Sequence, residues 1–141
     1  MKFLSIVVIS LFVISLFFGF TPTKADAGDF CWDFSNSTFD TSGTFKLGVI
    51  PIGGSHFLCS GALSVTDPIV MQFPAFGNVE ILDGKIYMTL SLAGTRNDTI
   101  GNDMIKATLD PVNLNGTFES IGVYIDAVEL SEGTLTHIAC P

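Results

Sequence analysis

Along residues 44–49 apolar and polar or small side chains alternate strictly, with Phe45, Leu47 and Val49 on one side and Thr44, Lys46 and Gly48 on the other. A period of two sends successive side chains to opposite faces of a pleated strand, so this segment predicts a half-buried β-strand. The same period places Phe57, Cys59, Gly61 and Leu63 on one face of the next segment and His56, Leu58, Ser60 and Ala62 on the other. Pro51-Ile52-Gly53-Gly54 lies between them. Proline presets one backbone dihedral there and glycine permits positive φ, so a hairpin is expected. A sharper turn signal is Asp83-Gly84, set between Val79-Glu80-Ile81-Leu82 and the alternating Ile86, Met88, Leu90 and Leu92. Such a pair suits a type I′ turn, which needs positive φ at both central residues. Further strands are expected over 104–109, 114–121, 122–130 and 134–140, with breaks at Asp110-Pro111, Gly122 and Glu132-Gly133. No stretch after residue 27 carries a helical stripe of three turns.

Short strands separated by frequent glycines read as an all-β domain. An open meander would leave two unpaired edges, and closing the sheet removes them. The expected architecture is therefore a small up-and-down antiparallel β-barrel of seven or eight strands, with a β-sandwich as the alternative. Gly43-Thr44-Phe45 recurs as Gly116-Thr117-Phe118. Three matched residues mark shared strand-entry chemistry rather than a duplication. In placement, Trp32 is similar to the early strand-borne tryptophan of lipocalins and avidins. That similarity is architectural, since Gly28-Asp29-Phe30-Cys31-Trp32 lacks their G-x-W spacing.

The first 27 residues have a different character. Met1-Lys2 precedes an apolar run from Phe3 to Phe20, interrupted only by serines and Gly19, and Ala25-Asp26-Ala27 offers small residues at the two positions a signal peptidase reads. The chain is thus expected to comprise a cleavable signal peptide, residues 1–27, and a single domain, residues 28–141, secreted or periplasmic. Those 114 residues carry thirteen acidic and four basic side chains, a net charge of −9. Nucleic acid and anionic lipid headgroups both require clustered Lys and Arg, so neither a nucleic-acid partner nor membrane association after cleavage is expected.

All three cysteines, Cys31, Cys59 and Cys140, lie in the exported part, where an oxidising compartment would pair two of them. Three pairings are open. Cys31–Cys140 is the favoured one: it would tie the two ends of the domain together and bring the first and last strands side by side, as barrel closure demands. Cys59, alternating with apolar neighbours, then reads as a buried free thiol.

The sequence is poor in catalytic material. Its histidines, His56 and His137, stand singly in alternating segments, His56 on the outward face and His137 sharing a face with Leu135 and Ala139. Neither belongs to a metal motif, and no nucleophile elbow occurs. Residues 95–103 group oxygen donors without the EF-hand order and read as a solvated hairpin loop rather than a calcium site. Three N-x-S/T sequons begin at Asn36, Asn97 and Asn115 and read as chance occurrences. No enzymatic activity, cofactor or metal is expected. The candidate partners are a small apolar ligand held inside the barrel among aromatics such as Phe45, Phe57 and Phe118, or an extracytoplasmic protein met by the outer surface. Phe73-Pro74-Ala75-Phe76, expected in a connection, would then be a contact patch or a lid over a barrel mouth.

Overall fold

A computed structural model describes residues 28–96 and 99–141. They form eight antiparallel strands in chain order, β1 (Gly28–Asn36), β2 (Thr41–Gly53), β3 (His56–Asp67), β4 (Met71–Leu82), β5 (Lys85–Arg96), β6 (Thr99–Leu109), β7 (Gly116–Tyr124) and β8 (Val128–Ile138). Each pairs with the next, and β8 returns to β1, closing an up-and-down barrel. The expected signal peptide lies outside the described residues.

Closure follows from the alternation. Most inward positions are apolar, and Phe45, Leu47, Met88, Leu90 and Leu135 are essentially inaccessible. Burying one such side chain stabilises the fold by roughly 1.5–3 kcal/mol. Asp83 and Gly84 both have positive φ, 50° and 71°, as the tight β4–β5 turn requires. The Cys31–Cys140 disulfide joins β1 to the residues just after β8, with Cα atoms 5.2 Å apart, and Cys59 is a buried free thiol.

Two expected breaks are not turns. β7 runs through Gly122 and β8 through Gly133, so the three segments 114–121, 122–130 and 134–140 are two strands. These glycines serve close approach instead of chain reversal. A Cβ at Gly133 would strike the Ser35 carbonyl and the Phe118 ring, and one at Gly122 would strike the Asp103 carboxylate and crowd Tyr124. Likewise residues 95–96 and 99–103 are strand rather than loop, because β5 and β6 pair as far as Arg96–Thr99. Nor does Phe73-Pro74-Ala75-Phe76 lie in a connection, since it is part of β4. The β4–β5 ladder begins only at Ala75–Leu92, so Pro74 is paired on the β3 side alone, an edge-like position that proline tolerates.

The two ends of the barrel differ. At the end where β1 begins and β8 finishes, the β6–β7 connection folds across the opening. The Trp32 indole nitrogen donates to the Leu114 carbonyl (2.8 Å), and the His137 amide donates to Asn115 Oδ1 (2.8 Å). Asp110 Oδ1 accepts from the Val112 and Asn113 amides and holds the connection in shape. The Trp32 ring packs edge-on against His137, with centroids 5.9 Å apart. On the outer wall, Met104, Ile121 and Leu130 stand in one row across β6, β7 and β8 beside the Val123–Val128 pair, and all five are exposed.

Candidate functional site

At the opposite end the described inward side chains stop short of filling the lumen and leave a cavity of about 370 Å³. That lies toward the small end of the roughly 300–1,000 Å³ spanned by small-molecule sites. Its floor is aromatic and aliphatic: Phe34 from β1, Phe45 from β2, Leu63 and Val65 from β3, Phe73 from β4, Ile105 from β6 and Phe118 from β7. The Phe34 ring meets Phe45 and Phe118 edge to face at centroid separations of 5.5 and 6.4 Å. Such T-shaped contacts fix ring orientation, so this wall is preformed.

Nearer the mouth the lining turns polar. Asn36 closes β1 with both ends of its amide engaged. Oδ1 accepts from the Thr38 and Phe39 amides and shapes the β1–β2 turn, while Nδ2 donates to Ser131 Oγ on β8 (2.9 Å). Ser131 is buried and lies 2.7 Å from Ser120 Oγ on β7, giving a hydrogen-bonded chain across three neighbouring strands. On β6 and β7, Asp103 stands opposite Gly122 and Tyr124 opposite Gly101. The Tyr124 ring crosses the place a Cβ at Gly101 would take, and its hydroxyl donates to the Asp103 carboxylate (3.2 Å). Both glycines are therefore the reason an aromatic ring and a carboxylate can lie flat on the wall without closing the lumen. Glu129 adds a second carboxylate to the lining, and Phe39, Ile69 and Met71 form an exposed apolar rim.

The structure places the sequence candidates unevenly. Phe45 and Phe118 line the cavity, whereas Phe57 is half-buried toward the sealed end and does not. Phe73 faces the lumen and Phe76, three residues on, is exposed on the outer wall. His56 is outward, 3.8 Å from Glu80, and His137 packs on Trp32, so neither belongs to the cavity. Of the oxygen-bearing residues in 95–103, Asp103 is in the mouth, and Asn97 and Asp98 lie outside the described residues. Sequence reasoning missed Asn36, Ser120, Tyr124, Glu129 and Ser131. A polar residue at an inward position of an otherwise apolar alternation was the signal available for Ser120 and Ser131. Cys59 sits in the packed core, where burial pushes its thiol up from 9.0 to about 11, away from the reactive thiolate form.

A second concavity, about 490 Å³, lies along the outer wall between Asp29, Lys46, Ser60 and Gln72. It is a trough along the outer wall, crossed by the exposed Lys46–Asp29 ion pair (3.1 Å). Compared with known protein families, curated proteins and solved structures, the chain matches none of them.

Proposed function

We propose that this chain is an exported, non-enzymatic carrier or sequestering protein that takes one small, largely apolar molecule into the cavity of its barrel. The observation that carries this function is the cavity of about 370 Å³ floored by Phe34, Phe45, Phe73 and Phe118. An apolar ligand gains about 25 cal/mol per Å² of surface it removes from water, and a preformed wall spares the ordering cost. Export is supported by the signal-like first 27 residues, and the disulfide is compatible with an oxidising compartment.

A neutral fluorescent probe, N-phenyl-1-naphthylamine, tests the proposal. Saturable one-to-one fluorescence enhancement is expected. Val65→Phe, which extends a lumen-lining side chain into the cavity, should weaken it at least about tenfold. Ile121→Ser on the outer wall should leave it unchanged. Absence of saturable enhancement in the native protein refutes the carrier function. Loss of binding in Ile121→Ser with retention in Val65→Phe would instead assign recognition to the outer surface.

A further inference from the structure

The hydrogen-bond arithmetic of the mouth restricts the ligand further, on the premise that the lumen is the binding site. Asn36 Oδ1 is occupied by two backbone amides, so its Nδ2 must face Ser131 as a donor. Ser131 Oγ thus already accepts one hydrogen bond. Between Ser131 and Ser120 the 2.7 Å contact consumes one hydroxyl proton, yet two hydroxyls bring two. Whichever serine donates to the other, one proton is left without an acceptor among the described residues, and both hydroxyls line the cavity. A donor poised at the edge of an aromatic floor is matched by an oxygen acceptor on a ligand whose remainder is apolar.

Charge excludes one large group of such ligands. The chain carries a net charge of −8, so a carboxylate or sulfonate head would approach against a field of its own sign. An ammonium head suits the field but carries no lone pair for the serine proton. We propose that the ligand is a neutral, compact amphipathic molecule bearing a hydrogen-bond-accepting oxygen, such as a ketone, ester or lactone, with its apolar body on Phe34, Phe45 and Phe118 and its oxygen at the Ser120–Ser131 pair.

Four probes sharing one body separate these alternatives by displacement of N-phenyl-1-naphthylamine from the purified protein with its disulfide intact: naphthalene, 2-acetylnaphthalene, 2-naphthoate and 2-naphthylmethylammonium. The ketone should bind about five- to tenfold tighter than naphthalene, which is what one neutral hydrogen bond supplies, and naphthoate weakest. S120A/S131A should erase the ketone's advantage while naphthalene affinity stays unchanged, which also shows that the cavity persists. A readout independent of any variant is the carbonyl stretch of bound 2-acetylnaphthalene, expected at lower wavenumber than in a hydrocarbon solvent. Equal binding of ketone and naphthalene, an unshifted carbonyl band, or tightest binding by either charged probe overturns the inference and leaves the apolar cavity standing. Failure of all four to displace the reporter removes the carrier function and this inference together.

Discussion

Replacing Cys140 by serine opens the covalent link between the two ends of the barrel, and the expected loss can be worked from the chain. Cys31 and Cys140 are 109 residues apart, so the bond removes closure entropy from a loop that spans nearly the whole domain. The chain-entropy relation gives about 16 cal/mol/K for a loop of that length, or about 5 kcal/mol at 25 °C. That is an upper value, because unfolded chains retain structure and native geometry takes its share, and about 2–5 kcal/mol is expected. Cys140 is the better position to change. Cys31 is 2% exposed, so serine there would add a buried hydroxyl to the lost bond, whereas Cys140 is half-buried at the chain end. The β1–β8 ladder from Cys31–Ile138 to Asn36–Gly133 survives the change, so the variant should fold to the same barrel. Urea unfolding of the oxidised native protein and of Cys140→Ser measures the difference. The variant should show a lower midpoint and a steeper m-value, since its unfolded state exposes more surface once released from the cross-link. A stability difference below about 1 kcal/mol would refute the entropic account. Non-reducing peptide mapping that found Cys59 in the bridge would refute the pairing itself.

Gly133→Ala should lower stability by about 1–3 kcal/mol in thermal or urea unfolding, because its new methyl would meet the Ser35 backbone carbonyl. Gly122→Ala meets the Asp103 carboxylate and Tyr124 instead, so a displacement titration should register it more strongly than a melting curve does. Trp32→Phe removes the indole hydrogen bond to Leu114, and a loss of about 0.5–1.5 kcal/mol with unchanged ligand affinity is expected. Cys59 should resist thiol reagents at pH 8 in the native state and react on unfolding. Because its folded-state value is raised to about 11 from 9.0, the unfolded chain releases this proton first; Cys59 therefore makes stability fall between about pH 9 and pH 11 relative to Cys59→Ala, and urea midpoints across that range measure it.

The barrel was legible in the sequence because alternation reports which face is buried, and it does so residue by residue at Phe45, Leu47, Met88 and Leu90. Turn chemistry was legible at Asp83-Gly84, where both residues need positive φ, but misleading at Gly122 and Gly133. Glycine signals a turn or a close approach equally well, and what approaches these two comes from other strands: Asp103 on β6, Ser35 on β1 and Phe118 on β7. Pro74 misled for a similar reason, since its tolerance depends on where the β4–β5 ladder stops. Of the cavity, only Phe45 and Phe118 were named from the sequence, and its existence was not legible. Whether Phe45 and Phe118 fill a lumen or line one depends on how far inward side chains from eight strands reach at one height of the barrel. No local pattern carries that sum.

The difference between the barrel's ends follows from the same interior. Trp32 takes the sealed end because its indole fills width and its N–H reaches a carbonyl of the connection, which settles the polar group that burial would otherwise leave unpaired. Among the described residues, none of that size closes the lumen at the mouth. Inward positions there hold Gly101, Ser120, Gly122 and Ser131, all small, and the bulkier Asp103 and Tyr124 are laid against the wall by the glycines opposite them. A barrel selected for packing alone would place large apolar residues at those four positions, as it does at Leu90, Leu135 and Phe45. Small residues forgo that burial, and polar ones must also be satisfied, as Asn36 and Ser120 satisfy Ser131. Packing is therefore concentrated toward the disulfide and Trp32, and free volume toward Ser120 and Ser131, so under the proposed carrier function substitutions at the two ends should separate in what they change: melting temperature at the first, affinity at the second.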